Sequence, residues 1–381
     1  MQKAAENPVR IIDEIDSFYK LPGLVYSLGS RALVVQGKSF LKKFGYLEKL
    51  ESLFRDKGIA FVHYNLKHFE SDIRDVLACI HLIHAHHSDV VVAFGGGAVI
   101  DVGKAAAGIC NEPDPSDTFY KGLSPQKIGI PLIAVPTIAG TGAEVTPNAV
   151  ISDEEKNIKK SIRSPVLFPH TALLDARLTL TVPQAPSSYS GSDALCQAIE
   201  AYVSTGATDD TDELSQKAIR YIGENLMAIY ERPLDLAARK KMLTGSVLAA
   251  LAFSRCRLGA VHGMAHPIGI RYKIPHGLVC AILLPPVMEH NLPCSIDKYA
   301  DIGNILTGKT LQNKTEQAFM GINAVRKCFR RMNLDITFSS LGVTEDFLDD
   351  IVKESLASSS MKHNPRPYTE DDVKAIFKRC L

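Results

Sequence analysis

The chain of 381 residues has no surplus of charge: 43 Lys and Arg stand against 42 Asp and Glu, a formal net charge of +1. Without a basic excess there is no electrostatic case for nucleic acid or for an anionic membrane surface as partner. No run of about eighteen uncharged apolar residues occurs, so no membrane span is expected. The first ten residues, Met1 to Arg10, are polar and lack the apolar core of a secretory signal. No two of the eight cysteines form a C-x-x-C pair, and the chain is not small. Cys79, Cys110, Cys196, Cys256, Cys280, Cys294, Cys328 and Cys380 therefore read as buried thiols in a reducing compartment, and a cytoplasmic location is expected. Internal repeats and low-complexity tracts are absent as well. What is present is the composition of a globular protein, 46% apolar and 22% charged. The length exceeds one ordinary core, so two domains are expected.

The first half alternates short β-branched runs with helical patterns. Residues 31–36, 59–64, 89–94 and 130–135 read as strands. Residues 40–57 and 69–87 read as helices. Such alternation predicts a doubly wound, mostly parallel sheet. From Pro183 and Pro186 through the serine-rich run to Ser192 the pattern reads as a connector, with Ser192 as an N-cap. Beyond it helical patterns dominate, at 193–204, 212–230, 234–266 and 314–332, with a last helix at 369–379 entered by Thr369. The expected organisation is an α/β domain over 1–182 and an all-helical domain over 183–381, with a ligand cleft between them.

Two glycine-rich loops each follow a strand. Gly95-Gly96-Gly97-Ala98 opens a helical pattern containing Asp101 and Lys104. Three glycines let backbone N–H groups approach an anion, and the helix start adds its dipole, so the loop reads as a pyrophosphate cradle or a plain tight turn. It is not the G-x-G-x-x-G fingerprint. The second loop runs Pro136-Thr137-Ile138-Ala139-Gly140-Thr141-Gly142-Ala143-Glu144. Its hydroxyls and glycines suit sugar, phosphate or amide groups, or a local turn. Together the two favour a nucleotide.

The most informative stretch is His262-Gly263-Met264-Ala265-His266-Pro267, followed nine residues later by His276. His262 and His266 are i and i+4, hence on one helical face, and Pro275 redirects the chain before the third histidine. Neutral imidazoles gathered in this way suit a divalent metal. Asp193, with Gln197 one turn later, is the best carboxylate to complete such a site. The run His81, His84, His86, His87 reads as a solvated helix end. Cys256 and Cys280 read as packing residues.

These motifs, in this order, closely resemble the iron-containing (group III) alcohol dehydrogenase family over nearly the whole chain. The likeness rests on Gly95 to Lys104, Pro136-Thr137 through Thr146, Asp193-Ala194-Leu195 with Ala198-Ile199-Glu200-Ala201-Tyr202, the two histidine motifs, and Asn364-Pro365-Arg366. It implies the dehydroquinate synthase-like fold, a homodimer, and reversible hydride transfer between NAD(P)(H) and a small alcohol or aldehyde. By position it implies Asp193, His262 and His276 as metal ligands and His266 as the histidine beside the nicotinamide. Gly96, Gly97 and Ala98 fall at the implied pyrophosphate site, with Gly95 and Asp101 among the cofactor-binding residues. Thr137, Thr141 and Lys159 fall at adenosine and ribose contacts, and Asn148 and Phe253 line the nicotinamide and substrate pocket.

Three departures from the family pattern bear on chemistry. Gln197 stands where the family usually has histidine, and an amide oxygen is a weaker ligand than imidazole. Either three ligands remain, as in glycerol dehydrogenases with an Asp-His-His zinc site, or Gln197 binds through its carbonyl; zinc joins iron as a candidate. Gln36-Gly37-Lys38-Ser39 lacks the aspartate typical of NAD-preferring members, and Lys38 and Ser39 suit a 2′-phosphate, which favours NADP. Arg255 and Arg257 suit an anionic substrate, a subunit interface or a surface pair. The other readings are a dehydroquinate synthase-like lyase and a silent relative that has lost its metal.

Overall fold

The computed structural model describes residues 7–37, 40–68, 70–156 and 158–381. The chain divides into two compact units, one of residues 1–138 and 142–181, the other of residues 139–141 and 182–381.

The first unit is built on a parallel sheet. Its strands are β1 (Arg10–Asp13), β2 (Arg31–Gln36), β3 (Ala60–Asn65), β4 (Val90–Gly95), β5 (Leu132–Pro136) and β8 (Thr171–Leu174), in the order β1-β8-β5-β4-β2-β3, all parallel. A separate antiparallel hairpin joins β6 (Asn148–Asp153) to β7 (Ile158–Arg163). β4 is buried along its whole length, as a strand covered on both faces must be. Alternate residues feed two cores. Leu33, Val35, Val91, Ala93 and Ala134 pack on one face with Ile100 and Val102, while Val34, Val92, Phe94, Val135 and Leu173 pack on the other with Phe18 and Phe54.

The strand order reverses between β2 and β4, which pair directly. The carboxyl edge at such a switch point is where open α/β sheets bind ligands. Gly37 and Gly95 both end strands there, and a Cβ on Gly37 would come within 3.9 Å of Val99 in the helix that follows the glycine loop.

The second unit is helical. Its main elements are Gln184–Val203, Asp209–Glu231, Leu236–Cys256, Ala260–Tyr272, His276–Asn291, Ile296–Thr307, Lys314–Arg331, Leu348–Ala357 and Glu370–Cys380. Among the described residues, no helix is long and apolar enough to cross a membrane.

The parallel sheet and the helical second half agree with the sequence reading; several boundaries do not. Gln184–Val203 begins nine residues before Asp193, through the stretch expected to be a connector. Pro186 lies in its first turn, where a missing N–H costs no hydrogen bond. The serines turn back onto the helix: Ser188 Oγ donates to the Ala185 carbonyl at 2.9 Å and Ser190 Oγ to that of Pro186 at 2.8 Å. Ser192 is therefore a buried interior residue, not an N-cap. The expected helix 40–57 breaks at Gly45, whose φ of 71° caps Tyr46–Asp56. The expected helix 234–266 breaks at Arg257, with φ 72°, and restarts after Gly259. Cys294 is exposed rather than buried.

Candidate metal centre and nucleotide loop

In the helical unit, three helices converge on one buried cluster. Gln184–Val203 carries Asp193, Cys196, Gln197 and Glu200; Ala260–Tyr272 carries His262 and His266; His276–Asn291 carries His276 and Cys280. Two glycines permit the approach. A Cβ on Gly277 would fall 2.2 Å from the Tyr189 carbonyl oxygen, so only glycine lets His276–Asn291 lie this close to Gln184–Val203. A Cβ on Gly259 would fall 3.0 Å from Glu200 Oε1 and 2.8 Å from Asn364 Oδ1. Those two oxygens are the N-terminal caps of the His262 helix: Ala260 N donates to Asn364 Oδ1 at 3.1 Å and Val261 N to Glu200 Oε1 at 2.7 Å. Asn364 is itself locked by a reciprocal amide pair with Asn291, at 2.8 and 2.9 Å.

The other Glu200 oxygen, Oε2, lies 2.5 Å from His262 Nδ1. A carboxylate only accepts, so Nδ1 carries a proton, and Nε2 is the nitrogen left to serve the site. Nε2 points at Asp193 Oδ1, 3.2 Å away, and His276 Nε2 approaches the same oxygen at 3.8 Å. The second Asp193 oxygen accepts from Gln197 Nε2 at 3.0 Å. The Gln197 carbonyl oxygen is buried and has no hydrogen-bond partner. The His266 ring stacks on that of His276, 4.9 Å between centroids and 17° between planes.

Burial works against charge throughout this cluster, and the partners decide the outcome. Burial lifts the Asp193 carboxyl, but the His262 bond and the neighbouring His276 bring it below the ordinary carboxylate range. Burial pushes both imidazoles down, yet Cys280 with Glu200 holds His262 well above its usual value, and Cys280 with Asp193 raises His276. Burial would raise Cys280 as well; the Cys196 S–H donating to it and the two imidazoles pull it down instead. The site is therefore an anionic pocket that collects positive charge. A carboxylate, two imidazoles, a tautomer fixed from behind and an orphaned amide oxygen are a donor set that fits a divalent cation.

The structure thus brings Asp193, Gln197, His262, His266 and His276 together, as their spacing suggests. Glu200 was absent from the expected site because its role comes from contacts 61 and 62 residues away. Cys256 is a packing residue, against Ala201 and Ala252. Cys280 is not: its Sγ lies 3.5 Å from His276 Nε2. The i,i+4 spacing of His276 and Cys280 was the signal available for it. Phe253 packs, half-buried, on the Ala201–Cys256 cluster. Arg255 is exposed and Arg257 half-buried.

In the sheet unit, Gly96 caps the helix Gly97–Ile109 in extended conformation, with no side chain occupying the cap. A Cβ on Gly95 would strike Val99 at 2.6 Å, and one on Gly96 would press Ile138 at 3.3 Å. The loop leaves bare N–H groups at a helix start and fits a pyrophosphate. Asp101 faces inward, accepting from Val150 N at 3.1 Å and pairing with buried Lys104 at 3.1 Å. Lys104 also donates to the carbonyl of Asn148, the first residue of β6. Thr137 N donates to the Gly95 carbonyl at 3.0 Å, and Lys159 pairs with Glu70 at 3.1 Å. Thr141 is exposed and groups with the helical unit. Gly37 closes β2; Lys38 and Ser39 lie outside the described residues.

Comparison with known proteins matches residues 8–176 to the model of iron-containing alcohol dehydrogenase and residues 187–381 to that of the Fe-containing alcohol dehydrogenase family, C-terminal. The chain is 35% identical over 363 residues to the probable alcohol dehydrogenase EutG of Escherichia coli (strain K12), covering 93% of this chain and 91% of that one. It is 34% identical over 350 residues to lactaldehyde reductase of the same organism, covering 91% of each. A solved 1,3-propanediol oxidoreductase superposes with a TM-score of 0.93 at 29% identity, covering 98% of both chains.

Proposed function

The chain belongs to the iron-containing alcohol dehydrogenase family and is a metal-dependent, NAD(P)-linked alcohol and aldehyde oxidoreductase; from that premise we propose that Asp193, His262 and His276, with Gln197 beside them, hold its metal. The observation that carries this reading is the convergence of one ligand atom each from Asp193, His262 and His276, all within 4.8 Å of one another, with both Nε2 atoms near the same Asp193 oxygen. A bound divalent cation supplies Lewis-acid polarisation of a carbonyl. A bound nicotinamide supplies the hydride.

The remaining work belongs to the side chains. Glu200 holds the His262 ring in its ligating tautomer. Gln197 fixes the second Asp193 oxygen, leaving the first for the site. His266, stacked on His276, would give a proton to the product alcohol oxygen and take it back in the reverse direction. Gly95, Gly96, Gly97 and Ala98 receive the pyrophosphate. NADP(H) is the preferred carrier in this reading, because Gln36-Gly37-Lys38-Ser39 offers a 2′-phosphate no carboxylate. The substrate is a small alcohol or aldehyde, as the names of the relatives indicate for those proteins. The protein works as a homodimer in the cytoplasm.

The test is a panel of small aldehydes assayed with NADH and NADPH alongside elemental analysis of wild type and His276→Ala. Turnover and metal content are expected to fall together, with NADPH oxidised faster by the wild type. Full activity in a metal-free His276→Ala preparation refutes the proposed centre.

A further inference from the structure

Cys280 stands one helical turn after His276, so both side chains leave the same face of His276–Asn291. The thiol is fully buried, but its surroundings are not hydrocarbon. Its Sγ and one ligand atom each of Asp193, His262 and His276 all lie within 4.8 Å of one another. The individual edges are informative. Zinc bonds of roughly 2.0–2.1 Å to nitrogen and oxygen and 2.3 Å to sulfur, opened to the tetrahedral angle, separate the ligand atoms by roughly 3.3–3.6 Å. The structure gives 3.2 Å from His262 Nε2 to Asp193 Oδ1, 3.5 Å from His276 Nε2 to Cys280 Sγ, and 3.8 Å from His276 Nε2 to Asp193 Oδ1. Gln197 meanwhile spends its amide N–H on Asp193, and its oxygen has no partner.

Resting on the metal centre proposed above, we propose that Cys280 is a ligand of that centre, completing an Asp193–His262–His276–Cys280 shell that favours zinc over iron(II). The thiol proton leaves to solvent as the sulfur ligates. Thiolate is a soft donor, and both softness and the ordering of divalent affinities place zinc ahead of iron(II). Gln197 is then the group that steadies Asp193 rather than a full ligand.

Cobalt(II) loading of the metal-free protein separates the two proposals. Any cobalt centre shows ligand-field bands in the visible, and only a sulfur-ligated one adds a thiolate-to-cobalt charge-transfer band in the near ultraviolet. Wild type is expected to show both. Cys280→Ser and Cys280→Ala are expected to lose the near-ultraviolet band and to bind cobalt on the order of 100-fold more weakly, while Cys196→Ser keeps the band. Cobalt uptake with visible bands and no sulfur band in wild type overturns the Cys280 assignment and leaves the centre standing. No uptake at all overturns both. A Cys280 variant that keeps the band, or wild-type protein from cells given equal iron and zinc that carries iron, also overturns the assignment. The wild-type spectrum decides the matter even where a variant fails to fold.

Discussion

Replacing Glu200 with glutamine isolates one hydrogen bond at the metal centre. The Glu200 carboxylate accepts twice, from Val261 N at 2.7 Å and from His262 Nδ1 at 2.5 Å. Glutamine keeps the shape but turns one acceptor into a donor. With its NH2 toward His262, Nδ1 must become the acceptor, which moves the ring proton to Nε2 and removes the lone pair from the site. With its NH2 toward Val261, two donors face each other at the helix start. The first arrangement keeps both bonds and loses the ligating tautomer; the second leaves a buried bond unmade. Partners that orient ligating histidines change metal affinity by roughly 10–100-fold, about 1.4–2.7 kcal/mol. The assay is a zinc competition titration against a chromogenic chelator at neutral pH, run beside thermal unfolding of the metal-free protein. Glu200→Gln is expected to weaken zinc by that factor, with aldehyde reduction recovering at high zinc. Unchanged zinc affinity in a folded Glu200→Gln protein would show that the imidazole needs no such orientation, and the reasoning fails.

Two further outcomes follow from geometry and burial. Gly277→Ala places a methyl 2.2 Å from the Tyr189 oxygen and must separate the helices bearing Asp193 and His276; a loss of about 1–3 kcal/mol and a fall in metal content are expected together, and wild-type values for both would refute the close approach. Glu144, buried with an unpartnered Oε1, has its carboxyl raised from 4.5 to about 7 chiefly by burial. The folded protein therefore binds a proton that the unfolded chain has released, so stability is present below pH 4.5 and is lost as pH rises to 7. That window corresponds to about 3 kcal/mol. Glu144→Gln should gain on wild type by up to that amount between its lower and upper ends in urea unfolding, and a pH-independent difference rejects the assignment.

Residues whose roles are local were legible in the sequence. Val90 to Phe94 announce a buried parallel strand by being apolar without alternation. The i,i+4 spacing of His262 and His266, and of Asp193 and Gln197, puts each pair on one helical face. The short strands β1 and β8 went unread because four residues carry too little pattern. The start of Gln184–Val203 was misread because proline and serine usually mark loops; a first-turn proline and back-bonded serines reverse that rule. Cys280 stood at a legible spacing from His276, but thiols are so often packing residues that spacing alone did not outweigh that expectation. Glu200 and Asn364 were visible as motif members and silent as to role, since what they hold lies on another helix.

The double use of Glu200 explains why a charged residue can be carried in the middle of a packed helical unit. An ionised carboxylate taken from water costs several kcal/mol unless its oxygens find donors. One donor here is a backbone N–H that the helix Ala260–Tyr272 leaves open at its first turn in any case. The other is the ring N–H that must be held for Nε2 to face Asp193. Fold and site therefore offset the same desolvation with the same side chain. A hydrophobic residue at position 200 would leave two buried donors unsatisfied instead of none. The argument extends to Asp193: Gln197 satisfies one oxygen, and the other faces the Nε2 atoms of His262 and His276, so both oxygens of this buried carboxylate have partners.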